Sequence, residues 1–401
     1  MNRRRVDHGT LAIGTVGPAQ LLTAFALAHA RSWPLEGARV FHIWRGDEDL
    51  LDTERWLCEV FGARLTGRLG DLRSQMAKPI VPFGNAPDRI ARRLVTGLRA
   101  RLWARRELRR LEVASATRAI LPYRVSVEDA LLGHSFRPHR LHYVADGLGI
   151  GFSDSLRLPT RLRAWGVTNP FRRGARPEIW GPASLQTAIF RHGQPRLIPD
   201  PSWEWTLRRV HSSRRFQALF RERLARVPCG ATCLLLQSFS ESRLMSRDDE
   251  LNFYRRVIAA ETERGRSLVV KPHPRDDPDK IEALRRLTPT GDVTYLDSGS
   301  VARLPIELLA DLLAPARLIG ICSSALFTVP IRPGREVVMY DCEHLPAGIR
   351  AGALEAAREH GITVVCQPTA TESGRKRADD RPRSGPGAAV GHPPRDGRAS
   401  G

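Results

Sequence analysis

One histidine is fixed between two prolines and two cations, in Lys271-Pro272-His273-Pro274-Arg275. The prolines restrict the backbone on both sides of the ring. An imidazole held in this way is suited to meet an anion, with lysine and protonated histidine as charge-assisted donors. Downstream, Glu307 follows Pro305-Ile306, and Ser323-Ser324 follow an apolar run. A carboxylate can accept from both hydroxyls of a ribose, and two serines before a helix can offer hydroxyls to a phosphate. Each feature also has a plainer reading: a solvated Pro-rich turn, a first-turn helix charge, an N-cap. Upstream, Asp146 opens D-G-L-G-I-G, where Gly147, Gly149 and Gly151 remove side chains at a place a ligand could approach the backbone. A simple Asp-Gly turn is the plainer reading there. Thr15 and Gln20 flank Gly17-Pro18, where a strand turns into a helix, and with Gly147 they form a candidate substrate loop. Neither glycine cluster has the G-x-G-x-x-G spacing of a dinucleotide site.

These residues need elements to carry them. Residues 268–270 read as a buried strand that must stop at the prolines, because proline cannot donate to a ladder. Residues 11–16, 40–44, 118–121 and 141–144 read as strands of a first sheet, with helices at 20–31, 52–61, 89–112 and 127–132. From about 160 to 213 the pattern is irregular and rich in Pro, Arg and Trp, and Trp165, Trp180, Trp203 and Trp205 are candidate acceptor contacts. A helix at 216–226 leads to strands at 231–237, 268–270, 293–296, 317–321 and 336–340. Helices are expected between them at 248–263, 280–287 and 305–313, and a further element starts at 325. Such alternation predicts an α/β protein with two doubly wound parallel sheets facing a cleft. Ligands of such sheets bind at the carboxyl ends of the strands, where all the candidate residues fall. The expected boundaries are 1–213 for the first domain, 214–366 for the second, and 367–401 for a charged, Gly- and Pro-rich tail without a core.

Composition narrows the class. At 401 residues the chain exceeds one ordinary core, and 42% hydrophobic content is enough for two. The formal charge of +20 rests almost entirely on arginine. It suits a cleft for phosphate or carboxylate, and the Arg-rich helix at 89–112 also suits an anionic membrane surface. No specific nucleic-acid partner is expected. The six cysteines form no C-x-x-C pair, no histidines stand at zinc spacing, and no stretch reaches the length of a membrane span. The expectation is a cytoplasmic protein with reduced thiols and no metal, in peripheral contact with a membrane at most.

In order, Asp146-Gly147, Lys271-Pro-His273-Pro, Pro305-x-Glu307-Leu and Ser323-Ser324, with an early T-V-G-P-A-Q-L-L, resemble the bacterial sialyltransferases, above all the α-2,8-polysialyltransferase and lipooligosaccharide sialyltransferase group. The resemblance implies a GT-B fold, CMP-sialic acid as donor, a glycan hydroxyl as acceptor, and inverting, metal-independent transfer without a cofactor. It implies Asp146 as the base, His273 at the leaving phosphate, Lys271 beside cytidine or phosphate, Glu307 on the ribose, and Ser323 and Ser324 on the phosphate. One departure stands out: the family's acidic motif carries two acidic residues before the glycine, and here the first is Ala145. Two other readings fit the residues, a GT-B transferase using CMP-Kdo or a UDP-sugar, and a basic protein that binds polyanions without catalysis.

Overall fold

The computed structural model describes residues 10–43, 48–70, 86–123, 132–133, 135–136, 141–145, 178–182, 194–224, 227–228, 230–288, 291–297, 299–329 and 334–366, side chains of 86–96, 220, 223 and 300 excepted. Both sheets belong to one compact unit, Met1–Gln367. The expected helix at 127–132 and the tail from 367 lie outside the described residues, except that Leu132 is helical.

The first sheet is built from β1 (Leu11–Thr15), β2 (Arg39–His42), β3 (Arg64–Arg68), β4 (Arg118–Pro122), β5 (Leu141–Val144), β6 (Glu178–Gly181) and β7 (Gln194–Leu197). Its spatial order is β3-β2-β1-β4-β5-β6-β7, and every pairing is parallel. The helices α1 (Pro18–Ala30), α2 (Glu48–Phe61) and α3 (Ala86–Arg110) connect its first four strands. α1 is buried around its whole circumference from Leu21 to Ala28, as expected of a helix with no polar face. In the middle of β1, a Cβ on Gly14 would come within 2.8 Å of both Ile43 Cδ1 and Leu121 Cδ2. Glycine lets the neighbouring chains close over the central strand.

The helices α4 (Asp200–His211) and α5 (Arg214–Leu219), with a π turn at Phe220–Leu224, carry the chain to the second sheet. That sheet comprises β8 (Thr232–Leu235), β9 (Leu268–Lys271), β10 (Val293–Tyr295), β11 (Arg317–Gly320), β12 (Glu336–Tyr340) and β13 (Thr363–Val365). Its order is β10-β9-β8-β11-β12-β13, again all parallel. The helices between its strands are α6 (Arg247–Glu263), α7 (Pro278–Leu287), α8 (Gly299–Arg303), α9 (Ile306–Leu313), α10 (Ala325–Thr328) and α11 (Ala347–Glu359). Both orders are doubly wound, with the direction of winding reversed at β1/β4 and at β8/β11. This is the two-sheet GT-B plan expected from sequence.

Alternate residues of the second sheet feed two cores. Cys233, Leu235, Val269 and Leu318 face a core continuous with that of the first sheet, while Leu234, Val270 and Ile319 face the other side. Each fully buried Leu, Ile or Val contributes roughly 1.5–3 kcal/mol. The two halves also meet directly. α8 packs on α2 and α9 on α4, and His211 Nε2–H donates to the carbonyl of Leu308 at 2.8 Å. Burial pushes the thiols of Cys233 and Cys322 up to about 12, and no described cysteine is in a disulfide.

Three stretches differ from expectation. The region read as irregular from 160 to 213 holds β6, β7 and α4. β7 is an edge strand with mostly exposed residues, which is why Pro195 is tolerated and no apolar run marks it. α4 begins Asp200-Pro201, where a first-turn proline starts the helix rather than breaking it. After β12, which reads as the last clear strand, α11 and β13 complete the second sheet. β3 is a third such stretch, a second edge strand whose pattern is interrupted by Gly67.

Candidate active site

The loop that leaves β9 is clamped at nearly every residue. Lys271 is buried, and its Nζ donates to the carbonyls of Pro272 and Ala302, both at 2.8 Å. Burial lowers its pKa to about 8, so it remains largely charged near neutrality. Arg303 donates to the carbonyl of Pro274. Asp276 Oδ2 accepts the His273 N–H at 2.7 Å, and the Asp276 N–H returns a bond to the His273 carbonyl at 2.9 Å.

The half-buried ring of His273 therefore has one defined orientation. Its Nδ1 accepts the backbone N–H of Arg275 at 3.1 Å. Desolvation first, then the charges of Arg275, Lys271, Lys280 and Arg303, hold its pKa well below the usual 6.5. The ring is thus neutral, with its proton on Nε2, and offers a single N–H donor. This corrects the sequence-based picture of a protonated histidine: burial, and then the cations around it, suppress that charge. The ring is more acidic folded than unfolded. Its contribution to stability is accordingly complete above about pH 6.5 and is lost as the pH falls through the folded value.

The clamp is anchored by a residue that the sequence reading passed over. Lys280, in the first turn of α7, is 1% exposed. Its Nζ lies 2.7 Å from Asp276 Oδ1, 3.0 Å from Glu250 Oε1, 3.1 Å from Glu241 Oε2 and 3.0 Å from the carbonyl of Gln237. Glu250 in turn accepts the N–H groups of Phe239 and Ser240. Desolvation opposes the charge on Lys280, but Asp276 and Glu250 outweigh it and raise its pKa. Burial lifts Asp276 to about 6 against the pull of Lys280, leaving it mainly ionised at pH 7. The spacing Asp276…Lys280, one helical turn across the start of α7, was a signal available in the sequence.

The remaining candidates of the second sheet lie beside this loop in the topology. Ser323 and Ser324 follow β11, next to the reversal point β8/β11. Ser324, the N-cap residue of α10, makes no side-chain cap bond, which sets aside its plainer reading. Glu307, in the first turn of α9, is 9% exposed, and its Oε1 accepts the Thr328 hydroxyl at 2.5 Å. Oε2 is left without a protein partner among the described residues. Thr328, which ties α9 to α10, is a second residue the sequence reading missed.

In the first sheet, Asp146 and Gly147 lie outside the described residues, just after β5 and Ala145, whose N–H donates to the Trp180 carbonyl at 2.9 Å. Thr15 is fully buried; its Oγ1 accepts the Gly17 N–H and lies 2.9 Å from the Gly17 carbonyl and 3.2 Å from Glu54 Oε1. Gln20 is 3% exposed, with Oε1 accepting the Val16 N–H at 2.9 Å. The sequence reading missed the adjoining buried pair, His42 Nδ1–H to Glu54 Oε2 at 2.8 Å. Among the described residues, Gln20 Nε2 and His42 Nε2 are buried without a hydrogen-bond partner. A charged position on the buried face of α2 was the available clue to Glu54.

Of the tryptophans considered as acceptor contacts, Trp165 lies outside the described residues, and Trp180 and Trp203 bury their indole N–H groups. Trp205 lines a cavity of about 350 Å³ with Trp33, Phe61 and Arg209. That cavity is at the C-terminal end of α1, on the opposite side of the first sheet from the strand ends that carry the candidate residues. Among the described residues, no three His, Cys, Asp or Glu side chains group as a metal site.

A protein-family model described as alpha-2,8-polysialyltransferase (POLYST) matches residues 220–341. The matched stretch contains Lys271, His273, Glu307, Ser323 and Ser324 but not Asp146. No curated protein sequence matches the chain. Among solved structures, a spinosyn rhamnosyltransferase complexed with thymidine diphosphate is similar over 92% of this chain and 89% of its own, at 16% identity and TM-score 0.44. The GT-B domain of a sialyltransferase from Photobacterium damselae is similar over 89% and 99%, at 12% identity and TM-score 0.42. A UDP-GlcNAc 2-epimerase from Neisseria meningitidis is similar over 87% and 90%, at 9% identity and TM-score 0.47. Likeness at this level carries no argument about activity.

Replacing Lys280 by methionine removes the cation and leaves Asp276 and Glu250 buried together. The expected loss of stability is about 3–5 kcal/mol at pH 7, measured as a lowered urea midpoint. Without the lysine, Asp276 loses the cation that opposes the effect of its burial, and it titrates still further above its unfolded value. The deficit should therefore shrink as the pH falls from 7 towards 5, and a deficit that grows over that range would contradict the network.

Proposed function

We propose that this protein is an inverting, metal-independent glycosyltransferase that moves sialic acid from CMP-sialic acid to a glycan hydroxyl. The single observation that supports this most is the strand-end set of the second sheet. A neutral Nε2–H donor on a clamped loop stands in the same sheet edge as two serines and a carboxylate whose Oε2 has no protein partner among the described residues. All of them fall within the stretch that matches the polysialyltransferase family. A nucleoside monophosphate offers the complementary groups: phosphate oxygens for the donors and ribose hydroxyls for Glu307 Oε2.

In this reading, Asp146 takes the proton of the acceptor hydroxyl. The acceptor oxygen forms a bond to the anomeric carbon from one face as the bond to the phosphate oxygen breaks on the other. The phosphate leaves with the electron pair of that bond. The second ionisation of a phosphate monoester lies near pH 6, so CMP can depart without taking a proton at neutral pH. His273 then needs only to donate a hydrogen bond to the oxygen on which charge develops, which a neutral Nε2–H can do. Ser323 and Ser324 share that phosphate. Lys271, tied to two carbonyls, acts by its charge and by holding the loop rather than as a free-swinging contact.

The test is release of CMP from CMP-sialic acid by purified protein, wild type beside Asp146→Ala and His273→Ala. Wild type should release CMP, and each variant should lose at least about 100-fold in rate. Equal release by all three would remove the catalytic assignment, and faster turnover of a UDP-sugar than of CMP-sialic acid would remove the donor assignment.

A further inference from the structure

The outward face of α3 has no role in the site above. Between residues 97 and 110, Gly97, Ala100, Trp103, Ala104, Glu107 and Leu108 are buried against the first sheet. Opposite them, Leu98 is 60% exposed and Leu102 54% exposed, the two largest exposures among the described large hydrophobic side chains. At about 100° per residue these leucines lie one turn apart in the middle of the outer face. Arg105 and Arg109 continue the same line, with Arg101 on one flank and Arg99 and Arg106 on the other.

The charges on this face are uncompensated. Arg110 is paired with Glu107 and the Arg68 carbonyl. Among the described residues, Arg99, Arg101, Arg105, Arg106 and Arg109 have no hydrogen-bond or ion-pair partner. Five unpaired guanidinium groups within a few turns repel one another, and two adjacent leucines lie bare in water between them. A surface that is negative and apolar just beneath would relieve both at once. We propose that the outer face of α3 is a docking surface for an anionic lipid bilayer, lying flat in the headgroup region with Leu98 and Leu102 entering the acyl boundary. Among the described residues no helix is long and apolar enough to cross a membrane, so the contact is peripheral. A soluble polyanion would satisfy the arginines but gives the leucines nothing to enter. The proposal stands on α3 alone and does not rest on the donor-site reading.

The experiment is co-sedimentation of the purified full chain with vesicles of phosphatidylcholine alone and of equal parts phosphatidylcholine and phosphatidylglycerol, at physiological salt. The wild type should sediment with the anionic vesicles only. Leu98→Ser/Leu102→Ser and Arg105→Gln/Arg109→Gln should each lower the partition coefficient by about tenfold or more. These side chains are exposed, so both double variants should keep the wild-type thermal midpoint, and stabilisation by added CMP should be unchanged. Failure of the wild type to sediment with anionic vesicles would overturn the proposal. So would unchanged partition of the leucine variant, which would mark the face as a receptor for soluble polyanions instead.

Discussion

A buried lysine ties together the strand-end edge of the second sheet that carries the candidate residues. Lys280 has three N–H donors and four acceptors around it, drawn from the loop after β8, from α6, and from the loop after β9. Charges this deeply buried are stable only as a matched set, because each alone would carry an uncompensated desolvation cost. The set has a direction. Asp276 reaches from Lys280 to the backbone N–H of His273, so the position of one imidazole follows from an ion cluster on the far side of the loop. Conformational choice is removed before any ligand arrives, which is what a site selective for a transition state requires.

The same cluster sets the chemistry of the ring. Burial first, and then cations on several sides, push His273 toward the neutral form, and the Arg275 N–H occupies Nδ1. The result is a donor rather than an acid. A leaving group that is a weak base does not need a proton delivered to it, and a neutral donor avoids binding product phosphate through a full ion pair. Lys271 and Arg303, bonded to carbonyls of the loop and of α8, add positive potential without placing a mobile ammonium at the reacting oxygen. Because α8 also packs on α2, the loop is mechanically connected to the first sheet, where the proposed base belongs.

The sequence carried the two-sheet architecture because parallel strands covered on both faces are continuous apolar runs. Leu268-Val269-Val270 and Leu318-Ile319 are such runs, and the structure buries all of them. Exposed or interrupted strands lack that signal, so β3 and β7 at the edges of the first sheet and β13 at one edge of the second were not legible, whereas β10 at its opposite edge was. The positions of His273, Glu307 and the serine pair, at strand ends and a helix start, were legible because proline, carboxylate and hydroxyl residues mark such places locally. Lys280, Glu250 and Thr328 were not, since their meaning arises only when α6, α7, α9 and α10 are brought together. The paired role of His42 and Glu54 is of the same kind: each lies within an ordinary strand or helix, and only the fold places Nδ1 2.8 Å from the carboxylate.

The account depends most on His273 being a neutral Nε2–H donor that meets a phosphate. Ring ¹⁵N NMR of selectively labelled protein, titrated with pH in the absence and presence of CMP, measures this directly. The free protein should show the Nε2–H tautomer at pH 7 and a pKa below 6.5, and CMP should shift the ring resonances and raise that pKa. A pKa at or above 6.5 in the free protein, or a ring indifferent to CMP, would contradict it.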